Sequence, residues 1–126
     1  MLNQNLKILV VDDFSAIRLI MKAQLRRMGY SNIKEAKDGD AAYNMLQREN
    51  NFDLIISDWN MPKMTGYELL KAVRTDTSLK NTPFIMLTAE ASQEYLSMAL
   101  RLKVDQFILK PFTLAILEEK INQVIH

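Results

Sequence analysis

Short apolar runs alternate with stretches of helical spacing five times along the chain. The runs KILVV (Lys7–Val11), IKEA (33–36), DLIIS (53–57), FIML (84–87) and QFIL (Gln106–Leu109) predict five strands. The first and third are rich in β-branched residues and nearly continuous in apolarity, the pattern of central parallel strands covered on both faces. Between the runs, apolar residues recur at helical spacing. Ile17, Met21, Leu25 and Met28 make one stripe, and Leu114, Leu117, Ile121 and Val124 another. Ala41, Ala42, Met45 and Leu46 mark a second helix, Leu69, Leu70 and Val73 a third, and residues 92–102 a fourth.

The punctuation agrees with these elements. Gly29 follows the first helix where a left-handed cap is wanted, and Gly39 and Gly66 stand in turns before helices. Pro62, Pro83 and Pro111 all fall in connections. No internal repeat, linker or low-complexity segment interrupts the order. Five βα units in 126 residues predict one α/β domain spanning 1–126, a doubly wound parallel sheet with right-handed crossovers. A flavodoxin-like (βα)5 strand order of 2-1-3-4-5 follows. It makes strands 1 and 3 neighbours at the switch point, where ligands of open α/β sheets bind.

Composition narrows the function classes. Basic residues number 16 and acidic residues 15, interspersed with no basic block along one face, so the sequence does not support an electrostatic footprint for nucleic acid. Cysteine is absent, which excludes disulfides and thiolate metal sites and suits the cytoplasm. The start, MLNQNLK, has no apolar leader, and no run approaches membrane-spanning length. The one histidine, His126, is the last residue, which leaves little room for histidine catalysis or a histidine metal site.

The residues leaving each strand at its carboxyl end carry the chemistry. Asp12 and Asp13 follow strand 1, Asp58 follows strand 3, Thr88 follows strand 4, and Lys110 follows strand 5. Each has a plain structural reading: Ser15 or either early aspartate can cap helix 1, Trp59 can be packing, and the 8 methionines core filler. Together they mean more. Three carboxylates at one edge repel unless compensated. One Mg²⁺ and the Lys110 ammonium bring the sum of charge to zero, and all-oxygen donors favour a hard ion. A carboxylate beside Mg²⁺ can act as nucleophile in phosphoryl transfer, forming an aspartyl phosphate. Metal and lysine then offset charge on the transferring group, and the Thr88 hydroxyl can donate to a phosphoryl oxygen.

VVDDFS, SDWNMPKMTG, LTAEA and LKPFT, in this order and spacing, resemble a response-regulator receiver domain, closest in wording to the CheY-type chemotaxis regulators. The resemblance spans essentially the whole chain. It implies Asp58 as phosphoacceptor, with Asp13 and Asp58 binding Mg²⁺ directly, Asp12 mainly through water, and the Asn60 backbone carbonyl as a further ligand. It implies Thr88 and Phe107 as a switch pair, Lys110 as a contact to the phosphoryl group, and a cis Lys110–Pro111 bond. A histidine kinase is the implied phosphodonor, and a partner protein, the flagellar motor switch in chemotaxis, the implied target. A phosphatase is a further implied partner; nucleic acid and membrane are not, and a cytoplasmic monomer without an output domain is expected. Such a chain is a switch and not an enzyme, although it can promote its own phosphorylation and dephosphorylation. Two positions depart from the family: Phe107 stands where the chemotaxis branch has tyrosine, and Lys103 where glycine is common. A phosphate sink, or a target outside motility, is the alternative output.

Other classes fit less well. A small haloacid-dehalogenase-like phosphatase wants Asp-x-Asp after strand 1, whereas Asp12 and Asp13 are adjacent, and strand alternation predicts opposite directions for them. A flavin-binding module would place phosphate against two aspartates. A vestigial interaction module would not need every residue of the site.

Overall fold

The computed structural model describes residues 5–49, 51–90 and 92–125. Ala91 of the LTAEA motif and His126 lie outside the described residues. The elements alternate as β1 (Lys7–Val11), α1 (Ser15–Arg27), β2 (Asn32–Ala36), α2 (Gly39–Arg48), β3 (Leu54–Asp58), α3 (Gly66–Thr75), β4 (Phe84–Thr88), α4 (Gln93–Arg101), β5 (Gln106–Leu109) and α5 (Leu114–Val124). The strands form one parallel sheet in the order β2-β1-β3-β4-β5. This is the flavodoxin-like arrangement that the alternation predicts.

Boundaries shift by one residue at three strands. β2 begins at Asn32, β3 runs Leu54–Asp58, and β4 extends to Thr88. The last two shifts have one cause: Asp58 pairs with Leu87, and Thr88 with Leu109, so the ladder continues through the polar residues at its end. The fourth helix is shorter than 92–102 because Ser92 and Leu102 are its caps.

Alternation along the strands sorts side chains into two cores. Leu9, Val11, Ile55, Phe84 and Met86 face α2, α3 and α4 through Ala42, Leu46, Leu69, Leu70, Val73 and Ala99. Ile8, Val10, Leu54, Ile56, Ile85, Leu87 and Ile108 face α1 and α5 through Met21, Leu25, Leu117 and Ile121. Every residue of β3 and β4 is buried, as central strands covered on both faces should be.

Four helices begin on a side-chain cap: Asp38, Thr65, Ser92 and Thr113 each accept from a backbone N–H of the first turn. Helix α1 differs. Its N-cap is Phe14, with no side-chain cap bond, so neither Ser15 nor the early aspartates serve as its cap. Asp12 is instead engaged locally, its Oδ1 accepting from the Phe14 N–H at 2.9 Å. Gly29 at φ 99° reverses the chain after α1. Among the described residues no helix is long and apolar enough to cross a membrane.

Candidate functional site

The register brings the candidate residues to one edge. Val11 pairs with Ser57, Asp58 with Leu87, and Thr88 with Leu109, so the residues following each strand leave at the same level. Asp12 is held by its main chain. Its N–H donates to the Ala36 carbonyl at 3.2 Å, and its carbonyl accepts from Arg18 Nη1 at 2.6 Å. Arg18 is itself oriented by Glu35, which accepts from Arg18 Nε at 2.6 Å and from Lys22 Nζ at 2.5 Å.

The loop after β3 closes tightly over the strand end. The Trp59 N–H donates to the Leu87 carbonyl, and the Gly66 N–H donates to the Trp59 carbonyl, both at 2.8 Å. Thr65 and Glu68 form a reciprocal capping box at the start of α3. A Cβ on Gly66 would lie 2.1 Å from the Asp58 carbonyl oxygen, so only glycine lets α3 approach the strand end this closely.

Asp12, Asp13 and Asp58 each offer a carboxylate oxygen within 4.8 Å of the others. The Lys110 ammonium lies 2.9 Å from Asp58 Oδ1 and 3.5 Å from Asp12 Oδ2. It reaches them from a cis Lys110–Pro111 turn, where the Lys110 N–H donates to the Thr88 carbonyl at 2.7 Å. One ammonium against three carboxylates leaves negative charge uncompensated. Among the described residues, buried Asp13 Oδ1 has no hydrogen-bond partner, and buried Asp12 Oδ2 has only the longer Lys110 ion pair. Orphaned buried carboxylate oxygens are costly, and an all-oxygen set of this geometry fits a hard divalent cation. Burial raises the Asp58 carboxyl above its ordinary range; the Lys110 ammonium opposes the rise, and Asp12 adds to it.

Thr88 is fully buried, and its Oγ1 accepts from the Glu90 N–H at 3.0 Å. Phe107 pairs with Met86, one step back along the same face of the sheet from Thr88. Its ring meets Trp59 edge-on, with 6.4 Å between centroids and 70° between planes. Asn60, two residues beyond Asp58, is exposed.

A family model for the response regulator receiver domain matches residues 8–122. The chain belongs to the receiver-domain family. It is 48% identical over 123 residues to Chemotaxis protein CheY-3 of Vibrio cholerae, covering 98% of this chain and 94% of that protein. It is also 48% identical to Chemotaxis protein CheY of Pseudomonas aeruginosa, over 94% of this chain and 95% of that one. Among solved structures, Vibrio cholerae chemotaxis protein CheY4 superposes with a TM-score of 0.88 at 38% identity, over 96% of this chain and 99% of that one. The receiver domain of a signal transduction histidine kinase from Syntrophus aciditrophicus superposes at 0.85 with 30% identity, over 94% and 88% of the two chains.

The receiver site holds residues that strand-end reasoning passed over. Arg18 supports the backbone of Asp12, and the Ser57 hydroxyl donates to the Asp58 carbonyl at 2.9 Å. Trp59 is buried and stacks on Tyr95 and Tyr67. Arg18 lies one helical turn from Phe14, a spacing compatible with reaching back to the strand end. Nothing in the local sequence pairs Tyr95 with Trp59, 36 positions apart (95 − 59).

Proposed function

We propose that this receiver domain is a phosphorylation-controlled signalling switch in which Asp58 accepts a phosphoryl group from a histidine kinase. The observation that carries the reading is the Asp12–Asp13–Asp58 cluster, with two buried oxygens that lack a hydrogen bond and one Lys110 ammonium shared between Asp58 and Asp12. In the transfer, the bond from phosphorus to the donor histidine nitrogen breaks, and its electron pair stays on nitrogen. An Asp58 carboxylate oxygen forms the new bond to phosphorus, and the freed imidazole takes up a proton. Lys110 offsets charge on the phosphoryl oxygens, and the Thr88 hydroxyl donates to one of them.

Asp13 and Asp58 would hold Mg²⁺ directly, Asp12 through water, and the Asn60 carbonyl would complete the protein ligands. Bound there, the ion supplies neutralisation of the phosphoryl oxygens. Thr88 drawn toward the phosphoryl group opens space for the Phe107 ring to turn. The surface of α4, β5 and α5 then favours a different partner, a population shift between two arrangements.

The likeness to the Vibrio and Pseudomonas chemotaxis proteins supports a target in chemotaxis, the flagellar motor switch, with a phosphatase resetting the signal in the cytoplasm. Phe107 lacks a hydroxyl for a partner, and Lys103 sets a charged side chain on the left-handed turn before β5, at φ 59°, where the family commonly has glycine. These two features favour a second reading of the output, a phosphate sink or a non-flagellar target. Intact mass after incubation with Mg²⁺ and a small phosphodonor tests the switch. One phosphoryl group is expected on the native chain and none on Asp58→Asn; an undiminished adduct on that variant overturns the assignment. Capture of motor-switch protein only by the phosphorylated form separates the two outputs.

A further inference from the structure

Helix α4 is held differently at its two ends. At its start, Tyr95 stacks on Trp59 with 4.3 Å between ring centroids and 14° between planes. Trp59 adjoins Asp58, and its own N–H and carbonyl are tied to Leu87 and Gly66. A second stack, at 5.5 Å and 21°, joins Trp59 to Tyr67 in the first turn of α3. At its far end, α4 is clamped by Arg74 of α3. Arg74 Nε donates to the carbonyls of Leu102 and Lys103 at 3.2 and 3.3 Å. Its Nη1 donates to Lys80 and Thr82 carbonyls at 3.1 and 2.7 Å, and its Nη2 to the Lys103 carbonyl and Asp105 Oδ2 at 3.1 and 3.0 Å. Asp105 Oδ2 in turn accepts from the Phe84 N–H at 2.7 Å, which locks the turn onto the start of β4.

The contrast is physical. A planar guanidinium fork fixes direction as well as distance, whereas a ring stack keeps two faces in contact while leaving their lateral offset adjustable. The core restrains α4 less than α3: Ala99 is the fully buried residue of α4, with Tyr95 and Met98 half-buried against the core, whereas α3 buries Gly66, Leu69, Leu70 and Val73. Elements with few buried side chains are the ones that shift locally.

We infer that α4 turns about the Arg74 clamp, and that Tyr95 is a positioning residue linking its first turn to Asp58 through the Trp59 ring. This route leaves Asp58 through Trp59 instead of through Thr88, although the Phe107 ring also meets Trp59 edge-on, and it rests on the reading of Asp58 as phosphoacceptor. A phosphoryl group adds charge and bulk at the end of β3. Trp59 follows directly, so with its main chain anchored a change at Asp58 reaches the indole as a reorientation of the side chain. The indole then shifts beneath Tyr95 and tilts the start of α4, while Leu102 and Lys103 stay with Arg74.

Hydrogen exchange on the full-length chain, with and without Mg²⁺ and beryllium fluoride as a phosphoryl stand-in, tests this. In the native protein, amides of residues 95–98 should change exchange rate by about tenfold and those of 102–104 by less than about twofold, as a tilt about one end requires. Tyr95→Phe should retain this response. Tyr95→Leu should lose it while still gaining one phosphoryl group by intact mass. Arg74→Lys should let the change spread into 102–104. A native-like response in Tyr95→Leu, or one still confined to 95–98 in Arg74→Lys, overturns the inference. Absence of the phosphoryl adduct from the native chain overturns the phosphoacceptor reading itself, and intact mass tells the two failures apart.

Discussion

Lys110 Nζ lies 2.9 Å from Asp58 Oδ1, and it is also the ammonium that Asp12 Oδ2 faces at 3.5 Å. A fixed cation in this place competes with a bound metal for the same carboxylates. It also offsets charge on a transferring phosphoryl group. Lys110→Ala should therefore tighten Mg²⁺ binding by about threefold to tenfold, since a unit charge about 4 Å away is worth about 1 kcal/mol even at the dielectric of water. Phosphorylation should at the same time slow by about tenfold or more. Calorimetric titration and the rate of adduct formation read the two effects; weaker metal binding would count against the competition.

Asp13→Ala removes an orphaned buried oxygen and one of three like charges. The metal-free protein should gain about 1 kcal/mol, a rise of about 3–6 °C in Tm for a domain of this size. Added Mg²⁺ should stabilise the variant less than the native chain, by mass action on a weakened site. Thermal melts with and without millimolar Mg²⁺ decide it, and a destabilised metal-free variant would sink the argument.

Lys103 adopts φ 59°, a left-handed conformation that costs an L-residue about 1 kcal/mol. Lys103→Gly should stabilise the protein by about 0.5–1 kcal/mol, because the Arg74 bonds go to backbone carbonyls that glycine retains. Phosphate uptake should not change. Denaturant melts give the sign, and a loss of stability would mean that the lysine side chain contributes more than its backbone strain costs.

Gly66→Ala should be among the most damaging single methyl additions. Its Cβ would meet backbone atoms of Asp58 and Trp59, at 2.1 Å for the nearest, and neither can move aside without disturbing the site. A loss of about 1–3 kcal/mol is expected, together with weaker Mg²⁺ binding. A variant with native stability and native metal affinity would show that α3 can retreat from the strand end.

Glu35 titrates below its ordinary 4.5 because hydrogen bonds from Lys22 and then Arg18 favour its carboxylate. A depressed folded value contributes stability above the unfolded value, and that contribution disappears as pH falls through the folded one. The native chain should thus exceed Glu35→Gln in stability at neutral pH. The gap should begin to close near pH 4.5 and vanish at lower pH. Because Glu35 is half exposed, the gap should be small and shrink with added salt. Parallel melts from neutral to acid pH check the trend.

The sequence by itself determined which residues reach the functional edge. The apolar runs ended at Val11, Ser57 and Leu87, and a parallel βα alternation sends every strand's carboxyl end to one side. Local spacing therefore suffices to send the aspartates, Thr88 and Lys110 to one crevice. Periodicity was enough because each strand and helix must bury a face, a requirement written in local spacing.

Tertiary structure alone decided the rest. That Asp58 and Thr88 are the last paired residues of β3 and β4 depends on partners in neighbouring strands, so apolarity stopped one residue short in each. The uncapped start of α1 depends on Asp12 bonding Phe14, one of several local options open to an aspartate. The Trp59–Tyr95 stack joins residues 36 positions apart (95 − 59), and Arg74 reaches carbonyls in two different turns. No periodicity encodes such pairs, because ring stacking and guanidinium bonding are chosen by which surfaces the packed helices bring together.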